Sequence, residues 1–148
     1  MKSLSLFICA ATTVVLFARG KNDEDALKDF RRIDILMETG RENEAIVSVS
    51  DFLRRYPEHH LADDAQFAMG EIYFRMRDFK RAILEFQKVA RNHKSRSDRI
   101  AETGLRLGEC WKNLNENEKA RIEWEAVVRR FENSKAAQEA RIHLMGEK

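Results

Sequence analysis

The stretch GEIYFRMRDFKRAILEFQKV, residues 70–89, decides the fold. It carries a small residue at Gly70, an aromatic at Tyr73, a second small residue at Ala82, a second aromatic at Phe86 and a β-branched residue at Val89. Adding 38 to each number gives Gly108, Trp111, Ala120, Trp124 and Val127, the same classes in the same order. Subtracting 37 gives Ile33, Leu36, Ala45, Val49 and Phe52, a weaker copy in which isoleucine replaces the glycine. Tyr56, His93 and Phe131 align at the end of each copy, with Pro57 following the first. The chain is therefore a repeat protein.

A period of this length belongs to two-helix repeats, whose units cannot bury an apolar face alone and must stack. Ala65, Met69, Ile72, Tyr73 and Met76 follow a helical three-and-four rhythm that breaks at Arg77 and Asp78 and resumes at Phe79, Ala82, Ile83, Phe86 and Val89. Each unit reads as an αα-hairpin, with Gly70 and Ala82 small where its helices cross. Helices are predicted at about 25–37 (ended by Gly40), 42–55, from 62, 79–91, to 114, 118–131, and from Asn133 and Ser134 onward. Ser95, Ser97 and Asp98 supply turn and capping chemistry before the fifth helix. In the seventh, Ala136, Ala137, Ala140, Leu144 and Met145 form an apolar stripe, which marks it as a capping helix. The fold class predicted is all-α: a right-handed α-solenoid of three hairpins, at about 25–57, 61–94 and 98–132, and a capping helix at about 134–146.

Residues 1–20 differ in kind. Lys2 precedes an apolar run from Leu4 to Ala18, and Ala18-Arg19-Gly20 places small residues at the positions a signal peptidase reads. The 15 apolar residues are short against the ~20 that a membrane-spanning helix needs, so the segment is expected to be a cleaved secretory signal, leaving residues 21–148 with no transmembrane span. Cleavage would remove Lys2 and Arg19 from the 27 cations and none of the 25 acids, so the remainder is neutral. No nucleic-acid partner is expected on that balance. Arg54, Arg91 and Arg129 form a row, but cations at helix C-termini are favoured by the helix dipole alone. Cys110, the one cysteine after the signal, reads as a small buried hydrophobe.

Catalytic signatures are lacking. The one dense group of possible ligands is His59, His60, Asp63 and Asp64 at the entrance to the third helix, which reads as a solvated turn with acids at a helix N-terminus. No catalytic residue, metal or cofactor is expected; a metal-dependent hydrolase centred on the histidines is the enzyme alternative.

Gly70, Tyr73, Ala82 and Phe86, repeated as Gly108, Trp111, Ala120 and Trp124, with Pro57 ending a unit, resemble the tetratricopeptide repeat. Gln66 and Gly104 stand where that family has an aromatic, and Arg32 and Ile33 depart from it in the first unit. Tyr56-Pro57 running into Leu61-Ala62-Asp63-Asp64-Ala65, then Gly70-Glu71, Asp78-Phe79 and Phe131 before Asn133-Ser134, is similar to the repeat domain of the periplasmic coordinator of the Tol-Pal system. It is more weakly similar to the outer-membrane lipoprotein that assists β-barrel insertion. The resemblance implies a periplasmic adaptor that binds a protein or peptide partner in the cell envelope, or an accessory subunit of outer-membrane protein assembly; a monomer is expected, because Lys21 to Asp25 leaves no room for the N-terminal coiled coil that oligomerises the coordinator family. Through such partners it could associate with the outer membrane.

The resemblance also implies that the first helix of each unit lines a concave surface. Asp34, Glu71 and Glu109 form an acidic row there, flanked by Phe30, Phe67 and Leu105 on one side and by Met37, Phe74 and Lys112 on the other, with Arg75 beside Phe74. These ten residues are the candidate peptide groove, suited to a segment with basic and apolar side chains.

Overall fold

The computed structural model describes residues 22–92 and 96–146. The expected signal segment, and His93 and Ser95, lie outside them. Helix α1 occupies residues 22–38. It is followed by α2 (Glu42–Arg55), α3 (Ala62–Arg75), α4 (Phe79–Arg91), α5 (Ser97–Asn113), α6 (Asn117–Arg130) and α7 (Lys135–Met145).

Each hairpin turns by the same local device. Gly40, Arg77 and Asn115 adopt φ of 67°, 60° and 62°, the left-handed region, at equivalent repeat positions. The next residue's N–H then reaches back to the carbonyl five residues earlier: Arg41 to Leu36, Asp78 to Tyr73 and Glu116 to Trp111, each at 2.9 Å. This satisfies orphan carbonyls of the first helix and reverses the chain. Glycine adopts the conformation without a Cβ clash and asparagine tolerates it, whereas Arg77 is strained. Asp78 then caps α4 by accepting from the Arg81 N–H at 3.0 Å, and Ser134 caps α7 by accepting from the Ala137 N–H at 3.0 Å. Helix α5 starts differently from the expectation: Ser97 is its first residue, and Arg96, at the cap position, makes no side-chain cap.

The interior divides into three apolar clusters in series. One joins α1, α2 and α3 through Ile33, Val49, Phe52 and Ile72; the second joins α3, α4 and α5 through Phe67, Phe86, Val89 and Leu107; the third joins α5, α6 and α7 through Leu105, Trp124, Val127 and Ala140. A hairpin thus completes its core only with the first helix of the next unit, as stacked repeats require. The glycines belong to this arrangement. A Cβ at Gly70 would stand 2.4 Å from the Phe86 ring, and one at Gly108 would stand 2.2 Å from Trp124 Nε1. In the first unit the bulk is exchanged: Ile33 and the smaller Val49, both buried, fill the volume that a glycine and an aromatic share elsewhere. Helix α7 contributes Ala136, Ala137 and Ala140 to the core and Leu144 to its margin. Met145 leaves the expected stripe and is 68% exposed, because no further helix covers that side of α7 among the described residues.

The first helices of successive units touch, α3 against α5 and α5 against α7, while the second helices come into no comparable contact. The stack therefore closes on the side of α3, α5 and α7 and opens on the side of α2, α4 and α6. The former is the inner face, the latter the outer.

Candidate functional site

Toward the N-terminal end, the inner face holds a shallow depression lined by Phe30, Asp34, Met37, Asp64, Phe67, Ala68, Glu71 and Arg99. Five of the ten sequence-predicted groove residues meet there. Phe67 is only 6% exposed, packed on Phe86 with ring centroids 5.2 Å apart, so it floors the depression and offers little surface. Leu105, at 3% exposure, is likewise floor, in a separate depression with Asp98, Glu102, Arg106, Ser134, Lys135, Ala136 and Glu139. Both residues are corrected from groove wall to core, since adjacent inner helices converge over them. Phe30 meets Phe52 edge to face, Phe74 meets Phe79 in the same way, and Lys112 is exposed beyond both depressions. Arg75 donates through Nη1 to the Met37 carbonyl, tying the second unit to the end of α1.

The acidic row is interrupted by arginines that the repeat pattern did not point to. Arg106 lies between Glu71 and Glu109, with Nε 2.8 Å from Glu71 Oε1 and Nη1 donating to Glu109 Oε2 at 2.8 Å. The Glu71 contact is an ion pair without hydrogen-bond alignment, so Glu71 Oε1 and Arg106 Nε are both buried without a directed partner. Burial raises the Glu71 pKa, which Arg106 opposes, and Glu102 and Glu109 add to the rise. Arg106 is itself held more firmly protonated despite its burial, through Glu109 and Glu71. Arg99 donates to Asp64 Oδ1 from Nε at 2.9 Å and to Glu102 Oε2 from Nη1 at 2.6 Å, and its guanidinium lies 4.3 Å from the Phe67 ring centroid. Asp34 is exposed, and desolvation with Glu38 and Asp64 nearby raises its pKa. The signal for the arginines was available: Arg99 and Arg106 are seven residues apart on one face of α5, opposite Asp64 and Glu71, also seven apart on α3.

The histidine cluster is a structural lock. His59 Nδ1 accepts from the Leu61 N–H at 3.2 Å, which leaves the proton on Nε2, 2.8 Å from Asp23 Oδ1. Its ring packs edge-on against Phe52, and His60 lies against its other side at 4.2 Å. Asp23, His59 and His60 are close enough together to share a cation. A metal on His59 Nε2 would, however, need Nδ1 to carry the proton and face the Leu61 N–H, the reverse of the donor arrangement metal-bound histidines make. Asp63 and Asp64 face the next unit instead: Asp63 accepts from Asn92 Nδ2, and Asp64 pairs with Arg99. At the other end of the stack, His143 lies flat on Trp124, centroids 4.5 Å apart, with Nε2 3.5 Å from Glu109 Oε1. Cys110 is fully buried, and desolvation pushes its thiol pKa up to about 12, so it is an inert packing group.

No described helix is long and apolar enough to cross a membrane. Comparison with curated proteins gives no match. A family model described as tetratricopeptide repeat matches residues 64–95 and 102–134, the second and third hairpins. Among solved structures, the chain is similar to the N-terminal domain of stress-induced protein-1 (STI-1) from C. elegans, with a TM-score of 0.68 and 13% identity over 81% of this chain and 94% of that one. It is equally similar to the Arabidopsis OM64 TPR domain, with a TM-score of 0.68 and 13% identity over 86% of this chain and 99% of that one. At such identity the likeness speaks for fold alone. Residues 64–95 and 102–134 thus match the tetratricopeptide repeat, and the all-helical stack has the fold of tetratricopeptide-repeat domains.

Proposed function

We propose that the protein is a periplasmic adaptor of a Gram-negative cell envelope that holds a basic, partly apolar segment of a partner protein on its inner face. One observation carries the reading: an apolar floor of Phe30, Met37, Phe67 and Ala68 is bordered by exposed Asp34 and by Asp64 and Glu71, whose charges Arg99 and Arg106 already share, which leaves Asp34 as the carboxylate open to a partner's cation. A lysine or arginine side chain can lay its methylenes on that floor and its charge beside Asp34, the apolar part adding affinity and the charge fixing register. The apolar segment 4–18 supports export, and the similarity to the Tol-Pal coordinator and to the barrel-assembly lipoprotein supports an envelope partner.

The test is capture from envelope extracts with the full chain as bait. Recovery of Tol-Pal components favours the first assignment, and recovery of barrel-assembly components the second. Reversing Glu71 and Glu109 to lysine is a poor probe, because it would crowd two further cations against Arg106. Asp34→Lys is cleaner: Asp34 is exposed, and the charge change faces the depression. Capture should fall for Asp34→Lys and stay unchanged for Gln138→Lys on α7. Equal capture by the two variants would refute the inner face as the binding site.

A further inference from the structure

Val47, Leu84 and Ile122 stand at one repeat position, on α2, α4 and α6, and are 61%, 58% and 59% exposed. These helices form the outer face, so nothing within the described chain covers the row. Seven residues later on each helix, two turns along the same stripe, come Arg54, Arg91 and Arg129, all exposed. On α4 the cations are densest: Lys80 and Arg81 precede Leu84 by one turn, and Lys88 follows it by one. Ion pairs on this face engage acids and cations alike, Asp51 with Arg54, Asp78 with Arg81, Glu85 with Lys88, and Glu118 and Glu125 with Arg121, and it is α4 that keeps a clear excess, Lys80, Arg81, Lys88 and Arg91 against Glu85. The helix dipole accounts for arginines at helix ends, but not for an apolar residue repeated two turns earlier in full solvent.

We propose that the outer face, centred on Leu84 of α4, is a peripheral membrane surface that rests on anionic lipid headgroups. The spacing favours lipid over a protein partner. A protein interface is built on a contiguous dry apolar core, whereas Val47, Leu84 and Ile122 lie on helices held apart and are separated by charge. A bilayer interface accepts isolated apolar side chains singly, beside long cationic side chains that reach the headgroups. The proposal is independent of what the inner face binds. It would leave that face directed away from the bilayer and open to a partner.

The probe is a polarity-sensitive fluorophore on Leu84→Cys in the full chain carrying Cys9→Ser and Cys110→Ala, with the same label at Gln138→Cys for comparison. Phosphatidylcholine vesicles with and without phosphatidylglycerol are added. The label at 84 should shift to the blue on anionic vesicles only, and the label at 138 should not. Lys80→Gln with Arg91→Gln should weaken that response about 25-fold, roughly five-fold for each cation removed; unchanged circular dichroism would show that the variant folds. Four results would overturn the proposal. These are a solvent-like label at 84 on chains that nonetheless sediment with vesicles, an equal shift on neutral vesicles, a shift produced by soluble polyglutamate alone, or a concentration-dependent shift without vesicles. The third would point to an acidic protein and the fourth to a second copy of the chain.

Discussion

Replacing Gly108 with alanine adds one methyl group and should destabilise the protein, although alanine is the better helix former by about 1 kcal/mol. The new Cβ would lie 2.2 Å from Trp124 Nε1 and 2.5 Å from its Cδ1, more than 1 Å inside ordinary contact. The indole has little room to withdraw. It is 1% exposed, its Nε1 donates to the Leu105 carbonyl at 3.2 Å, and its face is stacked on His143. Overpacking costs about 1–3 kcal/mol, and losing the buried indole hydrogen bond would add about 1–3 more. After the propensity gain, a net loss of about 1–5 kcal/mol is expected, a fall in Tm of several degrees for a chain of this size. Gly108→Leu should cost more. Two controls isolate the cause. Gly146→Ala places its Cβ no closer than 3.6 Å to any atom and should be neutral or stabilising, and Ile33→Leu, nearly isosteric at the equivalent position, should change Tm little. In a Trp124→Val background the penalty of Gly108→Ala should largely vanish, as Val49 accommodates Ile33. Thermal unfolding followed by circular dichroism measures all of these. A Gly108→Ala variant as stable as Gly146→Ala would show that the glycine is not there to admit the indole.

Arg106→Met should destabilise the protein at pH 7 by about 1–3 kcal/mol, because it strands Glu71 and Glu109 in a partly buried site. The Glu71 pKa is already raised, and loss of the guanidinium raises it further. The folded state then binds the proton more readily than the unfolded state, so the variant should recover stability as pH falls from the raised folded value toward 4.5, and denaturant titrations at pH 7 and pH 5 should differ accordingly. Arg77→Gly relieves the left-handed strain at φ 60° and should stabilise the protein by about 0.5–1 kcal/mol after the added freedom of the unfolded chain, raising Tm; a lower Tm would contradict the turn geometry. His59→Ala removes the contact to Asp23 and the packing on Phe52 and should lower Tm, whereas Zn²⁺ should leave the wild-type Tm unchanged. A zinc-dependent rise lost on His60→Ala would instead revive a metal site at the turn.

The sequence by itself determined the hairpins, because the features that make them are local or repeat at a fixed distance. The small-to-aromatic rows Gly70–Phe86 and Gly108–Trp124, the break at Arg77-Asp78 and the ends of α2 and α4 follow from periodicity and turn chemistry within one unit. Ile33 read as a weaker copy, and only packing revealed that Val49 compensates for it. What tertiary structure decided is everything that depends on how far one unit is rotated against the next. That rotation draws α3 and α5 together on the inner face, turning Phe67 and Leu105 from surface into floor and placing Arg99 and Arg106 against Asp64 and Glu71. A row of carboxylates 37 and 38 residues apart was visible in the letters, as was the seven-residue spacing of Arg99 and Arg106, but that Arg106 of α5 would reach across to Glu71 of α3 was decided by packing. The outer face obeys the same logic in reverse. Val47, Leu84 and Ile122 are one repeat position in the sequence, and only the separation of α2, α4 and α6 leaves all three in solvent.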